Sequence, residues 1–154
     1  VCELAQLNRA TFYAHYSDCF ALLESIENEL IGAFEQSLRY VNSFDVTALI
    51  EAIYDMIDQN REACSALILG NTSSTVLKRM IALAKKDSIA YWRGELPMAR
   101  DAELEMMYTH LSNGLMHVVV EDYNRYSKEE IIRFVSRVVK NSLSLFKKPA
   151  EAFA

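Results

Sequence analysis

Glycine and proline are scarce. The 154 residues hold four and two of them, where average usage gives about 18 together. Turn-rich all-β folds and strand–turn–helix alternation need more punctuation than that, so the chain is expected to be all-α. Cysteine is sparse too. Cys2, Cys19 and Cys64 are odd in number and far apart, which suits a reduced compartment and excludes a disulfide framework or a zinc cluster. No apolar run approaches the roughly 18–20 residues of a membrane span, and no signal-peptide pattern opens the chain. A cytoplasmic protein with no membrane partner is expected. Net charge is −5, so a protein basic all over is excluded and any nucleic-acid contact must be local.

Catalytic patterns are missing as well. There is no HExxH, no Gly-x-Ser-x-Gly and no phosphate-cradling glycine loop. No Glu-x-x-His occurs, which excludes the di-iron helical bundle. Of three histidines, His110 and His117 share a helix face but lie roughly 10.5 Å apart along it, too far to chelate one ion. They read as core or interface histidines with satisfied hydrogen bonds. No enzyme, metal or cofactor is expected.

What the sequence does hold is helical periodicity. Residues 1–17 read as two short helical pieces around a bend: residues 1–5, then a second helix capped by Asn8 and ending near Tyr16. A long helix follows, capped by Ser17 or Asp18, with Leu23, Ile26, Leu30, Phe34, Leu38 and Val41 on one stripe. Asp45 can cap the next helix, whose face is Val46, Leu49, Ile50, Ile53 and Ile57. A short helix over 62–69 stops at Gly70, which suits a left-handed end. Another begins after 72–74 and is closed by Gly94 and Pro97. Two long helices complete the chain, over 99–126 and from a Ser127–Glu130 capping box to Phe146, before Pro149. The last is apolar on two sides, Ile131, Val135, Val138 and Ser142 on one, Ile132, Val139, Leu143 and Phe146 on the other. It must therefore be buried on two sides, and a second copy can supply one of them.

Residues 3–23 concentrate chemistry of another kind. Arg9, Thr11, Tyr13 and His15 sit on a small polar helix fixed by Phe12 and Tyr16. Hydroxyls and an imidazole can bind phosphate oxygens, and Arg or Asn can read base edges. The run Thr11-Phe12-Tyr13-Ala14-His15-Tyr16, followed by Leu22-Leu23, closely resembles the helix-turn-helix of the TetR family of transcriptional regulators. The region from Asn113-Gly114 to Ser127-Lys128-Glu129-Glu130-Ile131 also looks like the end of the ligand and dimerisation domain in small members of that family.

The resemblance implies an incomplete helix-turn-helix domain with its connecting helix over residues 1–42, and a helical-bundle ligand-binding and dimerisation domain over 43–154. The chain opens at Val1 inside a helical pattern, and the resemblance implies a first helix ahead of it. It implies phosphate contacts from Thr11, Tyr13 and His15, with Asn8, Arg9 and Ala10 near base edges of double-stranded DNA. It implies a homodimer on a palindromic operator, repression being the family default, with an interface of Leu111, Gly114, Leu115, Val118 and Val119 on one helix and Ile131, Val135, Val138 and Ser142 on the other. A small hydrophobic effector would enter near Tyr54, Met56, Tyr91 and Trp92, and near Met106, Met107, Tyr108 and His110. The family ordinarily has Gly in the turn, where Gln6 stands here; a left-handed backbone costs a non-glycine residue about 1 kcal/mol. It has Lys where Cys19 stands. Residues 1–44 carry two basic and six acidic side chains, a weak electrostatic footprint for DNA. The alternatives are a helical protein–protein interaction module and a carrier of hydrophobic ligands, neither binding DNA.

Overall fold

A computed structural model describes residues 2–147, apart from the side chains of residues 42 and 43. The described residues form helices and no strand. The seven α-helices are α1 (Arg9–His15), α2 (Cys19–Glu35), α3 (Val46–Gln59), α4 (Arg61–Leu67), α5 (Thr75–Glu95), α6 (Asp101–Glu121) and α7 (Lys128–Ser144). A 3₁₀ helix, Gln36–Ser43, runs on directly from α2.

Local chemistry sets most of the boundaries. The side chains of Asn8, Asp18 and Asp45 accept from the first free amides of α1, α2 and α3, and Ser74 accepts from Leu77 N–H at the start of α5. Each satisfies a donor that the helix itself cannot. Ser127 and Glu130 form the reciprocal capping box of α7. Gly70 takes φ 71°, a conformation that costs glycine little.

Three boundaries depart from the periodicity. Residues 2–6 form turns, not a first helical piece; the backbone turns back through Leu7 N–H to the Cys2 carbonyl at 2.9 Å. The long helix changes winding at Gln36, so Leu38 sits on 3₁₀ backbone. The sixth helix ends at Glu121, and residues 122–126 turn back toward α7. Pro149 lies outside the described residues.

Two apolar clusters hold the bundle. The first joins Leu30 and Phe34 of α2 to Ile50, Ile53 and Ile57 of α3, Met80 of α5, Val119 of α6 and Ile131 of α7. The second is built by Trp92, Leu96, Leu104, Tyr108, Leu111 and Leu143. Leu38, Ile81 and Val139 touch both. The second half of α2 therefore belongs to the same core as α3.

Candidate nucleic-acid interface and internal cavity

The α1 region is built from one buried ring outward. Phe12 is the only buried residue of α1. It meets Tyr13 edge-on at 5.4 Å and Tyr16 at 5.8 Å. Asn8, Arg9, Ala10, Thr11, Tyr13 and His15 are all exposed. The turn before α1 holds Gln6 at φ 53°, so glutamine takes here the left-handed backbone that favours glycine. Arg9 lies 3.9 Å from Glu3, both well exposed; a pair so open to water contributes little and leaves the guanidinium available. Cys19 is exposed at the start of α2. Leu4, Leu7 and Phe20 present apolar surface beside α1.

The seam between the two clusters contains a cavity of about 90 Å³. Leu38, Tyr40 and Val41 of the 3₁₀ helix and Phe44 form one wall; Val46, Leu49 and Ile53 of α3 form the next. Ile81, Ala84, Ser88 and Trp92 of α5 face Tyr108, Leu111, Ser112 and Met116 of α6. Ser88 donates to the Ala84 carbonyl at 2.6 Å, and Tyr108 donates to the Ile81 carbonyl. Burial pushes the Tyr108 hydroxyl up to about 12, against the opposing influence of Ser112 beside it. Trp92 lies between Phe44 and Tyr108, and its buried indole N–H finds no hydrogen-bond partner among the described residues.

Of the eight residues expected around an effector, Trp92 and Tyr108 line this cavity. Tyr54 is buried elsewhere, stacked on Tyr123 at 5.1 Å, and burial raises its pKa first, then the charges of Glu129 and Asp58. Met56 borders a polar surface groove with Arg39, Glu51 and Asp55. Tyr91 packs on Phe44 at 5.2 Å, and Met107 fills the second cluster. Met106 and His110 are exposed. His117 is exposed too, so neither histidine of α6 is a core residue. Phe44, Ile53, Ala84 and Met116 were missed because their places depend on how helices meet; the α3 stripe was the one signal pointing at Ile53.

The expected dimer residues also divide. Leu111, Val119, Ile131 and Val135 are buried within their own protomer. Leu115, Val118, Val138 and Ser142 are half-buried, and Gly114 is exposed. A Cβ placed on Gly114 would meet nothing within 4 Å, so packing within the chain does not require glycine there. The residue that periodicity missed is Phe134, 59% exposed. It borders a groove of about 430 Å³ with Val118, Asp122, Tyr126, Glu130 and Ile131.

Among the described residues no group of three or more His, Cys, Asp or Glu side chains is placed to hold a metal ion, and no helix is long and apolar enough to cross a membrane. Comparison with protein-family models, with curated proteins and with solved structures gives no match.

Proposed function

We propose that this chain is a DNA-binding transcriptional regulator of TetR type that acts as a homodimer. The observation that carries the reading is α1 itself. One helix shows Asn8, Arg9, Thr11, Tyr13 and His15 to solvent and buries only Phe12. The residues in question are those that the resemblance of 3–23 to the family assigns to the duplex. Hydroxyl, imidazole and guanidinium groups side by side suit phosphates and base edges.

In this reading two copies of α1 enter successive major grooves, roughly 34–36 Å apart. The second copy docks on the outer faces of α6 and α7, around Gly114, Val118, Phe134 and Val138. Such an interface is two-fold and self-complementary. Exposed Phe134 stands at its centre, whereas Val119 is fully buried within its own protomer.

The test is selection of binding sites from a random duplex pool by the full-length protein, followed by fluorescence anisotropy. One enriched near-palindrome is expected. Tyr13→Ala should weaken binding to every duplex alike, and Arg9→Ala should cost most at one base pair, about 1–3 kcal/mol. Absence of any enriched sequence would remove the reading. Sedimentation of Phe134→Asp should show folded monomers where the parent protein is a dimer; a monomeric parent would sink the interface.

A second reading has its own support. The acidic balance of residues 1–44 and exposed Leu4, Leu7 and Phe20 favour a regulator-like dimer that docks a partner protein instead of DNA. The same selection separates the two.

A further inference from the structure

The outer ridge of α6 carries two of the chain's three histidines. His110, Gly114, His117 and Glu121 are all exposed and recur at steps of four, three and four, so they share one face of the helix. The side chains of His110, His117 and Glu121 make no ion pair or hydrogen bond among the described residues. His117 and Glu121 stand one turn apart, a spacing at which two side chains can grip one ion. His110 lies roughly 10.5 Å from His117 along the axis, beyond reach within one chain.

A second copy changes that geometry. Gly114 interrupts a helix that alanine would steady, and no neighbour within the protomer requires it. A bare backbone on an outer ridge suits the close approach of another helix. Let two α6 helices cross antiparallel about a two-fold axis between Asn113 and Gly114. His110 lies as far before that point as His117 lies after it, about 5 Å each way. Each histidine therefore meets the other histidine of the opposite chain. The same register opposes Asp122 to the partner's Glu105, but each is already paired within its own chain, Asp122 with Arg125 at 3.6 Å and Glu105 with Lys85. Phe134 shares a groove with Val118, one turn along from Gly114, so the axis falls inside the interface proposed above.

We propose that the dimer binds two divalent transition ions of the zinc kind, each held by His117 and Glu121 of one protomer and the partner's His110. The site rests on the homodimer reading and deepens it, making metal a part of what joins the copies. Among the described residues no single chain groups three such ligands; the partner completes the set. Helices packed about 8–10 Å apart let two imidazoles reach one ion from opposite sides. Two imidazoles and a carboxylate suit zinc and leave its fourth position to water.

Sedimentation and titration calorimetry of the full chain, first in EDTA and then with zinc chloride, test this. One zinc per protomer is expected, with a dimer that dissociates at least about tenfold less readily once zinc is in excess. His110→Ala and His117→Ala, both at exposed positions, should each remove zinc binding with the helix content unchanged. Glu121→Gln should weaken it at least about tenfold, as loss of a group that merely supports metal ligands already does. Co-expression of the two histidine variants under separate tags gives the deciding measurement. The mixed dimer joins the intact His117 of one chain to the intact His110 of the other and should regain one zinc of the two. No zinc bound, zinc retained by His110→Ala, or a mixed dimer that regains none would overturn the proposal. A dimer in EDTA that takes no zinc would lose this site and keep the homodimer reading. A monomer in EDTA that pairs only with zinc would keep the site and lose the metal-free interface around Phe134.

Discussion

Residues 2–23 and the bundle behind them are held by different means. In the first, one ring is buried, that of Phe12, while Leu4 and Phe20 stand almost wholly in water. In the second, Ile50, Met80, Leu104 and Val119 have no exposed surface at all. Apolar burial is the main favourable contribution to folding, so nearly all the stability of the molecule lies in the bundle. The element that carries the side chains proposed to face DNA, α1, is a passenger on it. A short isolated helix is marginal in water. The bundle must therefore supply through α2 most of what keeps α1 in place.

The largest contrast is expected in thiol chemistry. Cys19 is exposed, whereas Cys64 is fully buried and its thiol is pushed up to about 11 by burial. Reaction with an aromatic disulfide should modify Cys19 in the native state. Cys64 should react only through opening of the bundle, slower by about three orders of magnitude or more. Equal rates would erase the distinction between the regions. Core truncation sharpens it next. Leu104→Ala should cost about 2–5 kcal/mol in urea unfolding. Phe12→Ala should leave that transition in place and lower only the helicity of α1, seen by amide exchange.

Caps give a smaller contrast. Ser127→Ala removes the α7 capping box and should cost about 1 kcal/mol of global stability. Asn8→Ala should fray α1 and leave the urea midpoint unmoved. The smallest effect is on pH. The Ser127 amide and hydroxyl hold Glu130 below its ordinary 4.5, the Arg100 side chain and amide do the same for Glu103, and Tyr123 and Arg61 lower Asp58. A depressed carboxylate adds stability above its ordinary value and loses it as pH falls through the lowered one. All three lie on the bundle. Its urea midpoint should therefore decline as pH drops below about 4.5, and Glu103→Gln with Glu130→Gln should flatten the decline.

What was legible in the sequence was local. Asn8, Asp18, Asp45 and the Ser127–Glu130 pair bond within three residues of themselves, so their spacing alone announces them. The α3 stripe behaved likewise, because a single apolar face has one way to be buried. The winding change at Gln36 was hidden, since the step of three from Leu38 to Val41 suits either helix type. The cavity was hidden for a different reason. Periodicity places Tyr54, Trp92 and Met106 on helix faces but does not say which faces meet. Only tertiary packing sends Trp92 to the seam, Tyr54 to Tyr123 and Met106 to water. Gln6 was legible only through the resemblance, as a non-glycine residue where glycine is usual.

The eight residues of tight winding after Glu35 form an unusually long run of their kind. Each that slackens to the ordinary α form draws the chain in by about 0.5 Å and counter-rotates what precedes it by about 20°. A pair of residues would thus retract α2 by about 1 Å and swivel it by about 40°. Like a crank at the end of a shaft, α1 would be re-aimed by a shift confined to one joint.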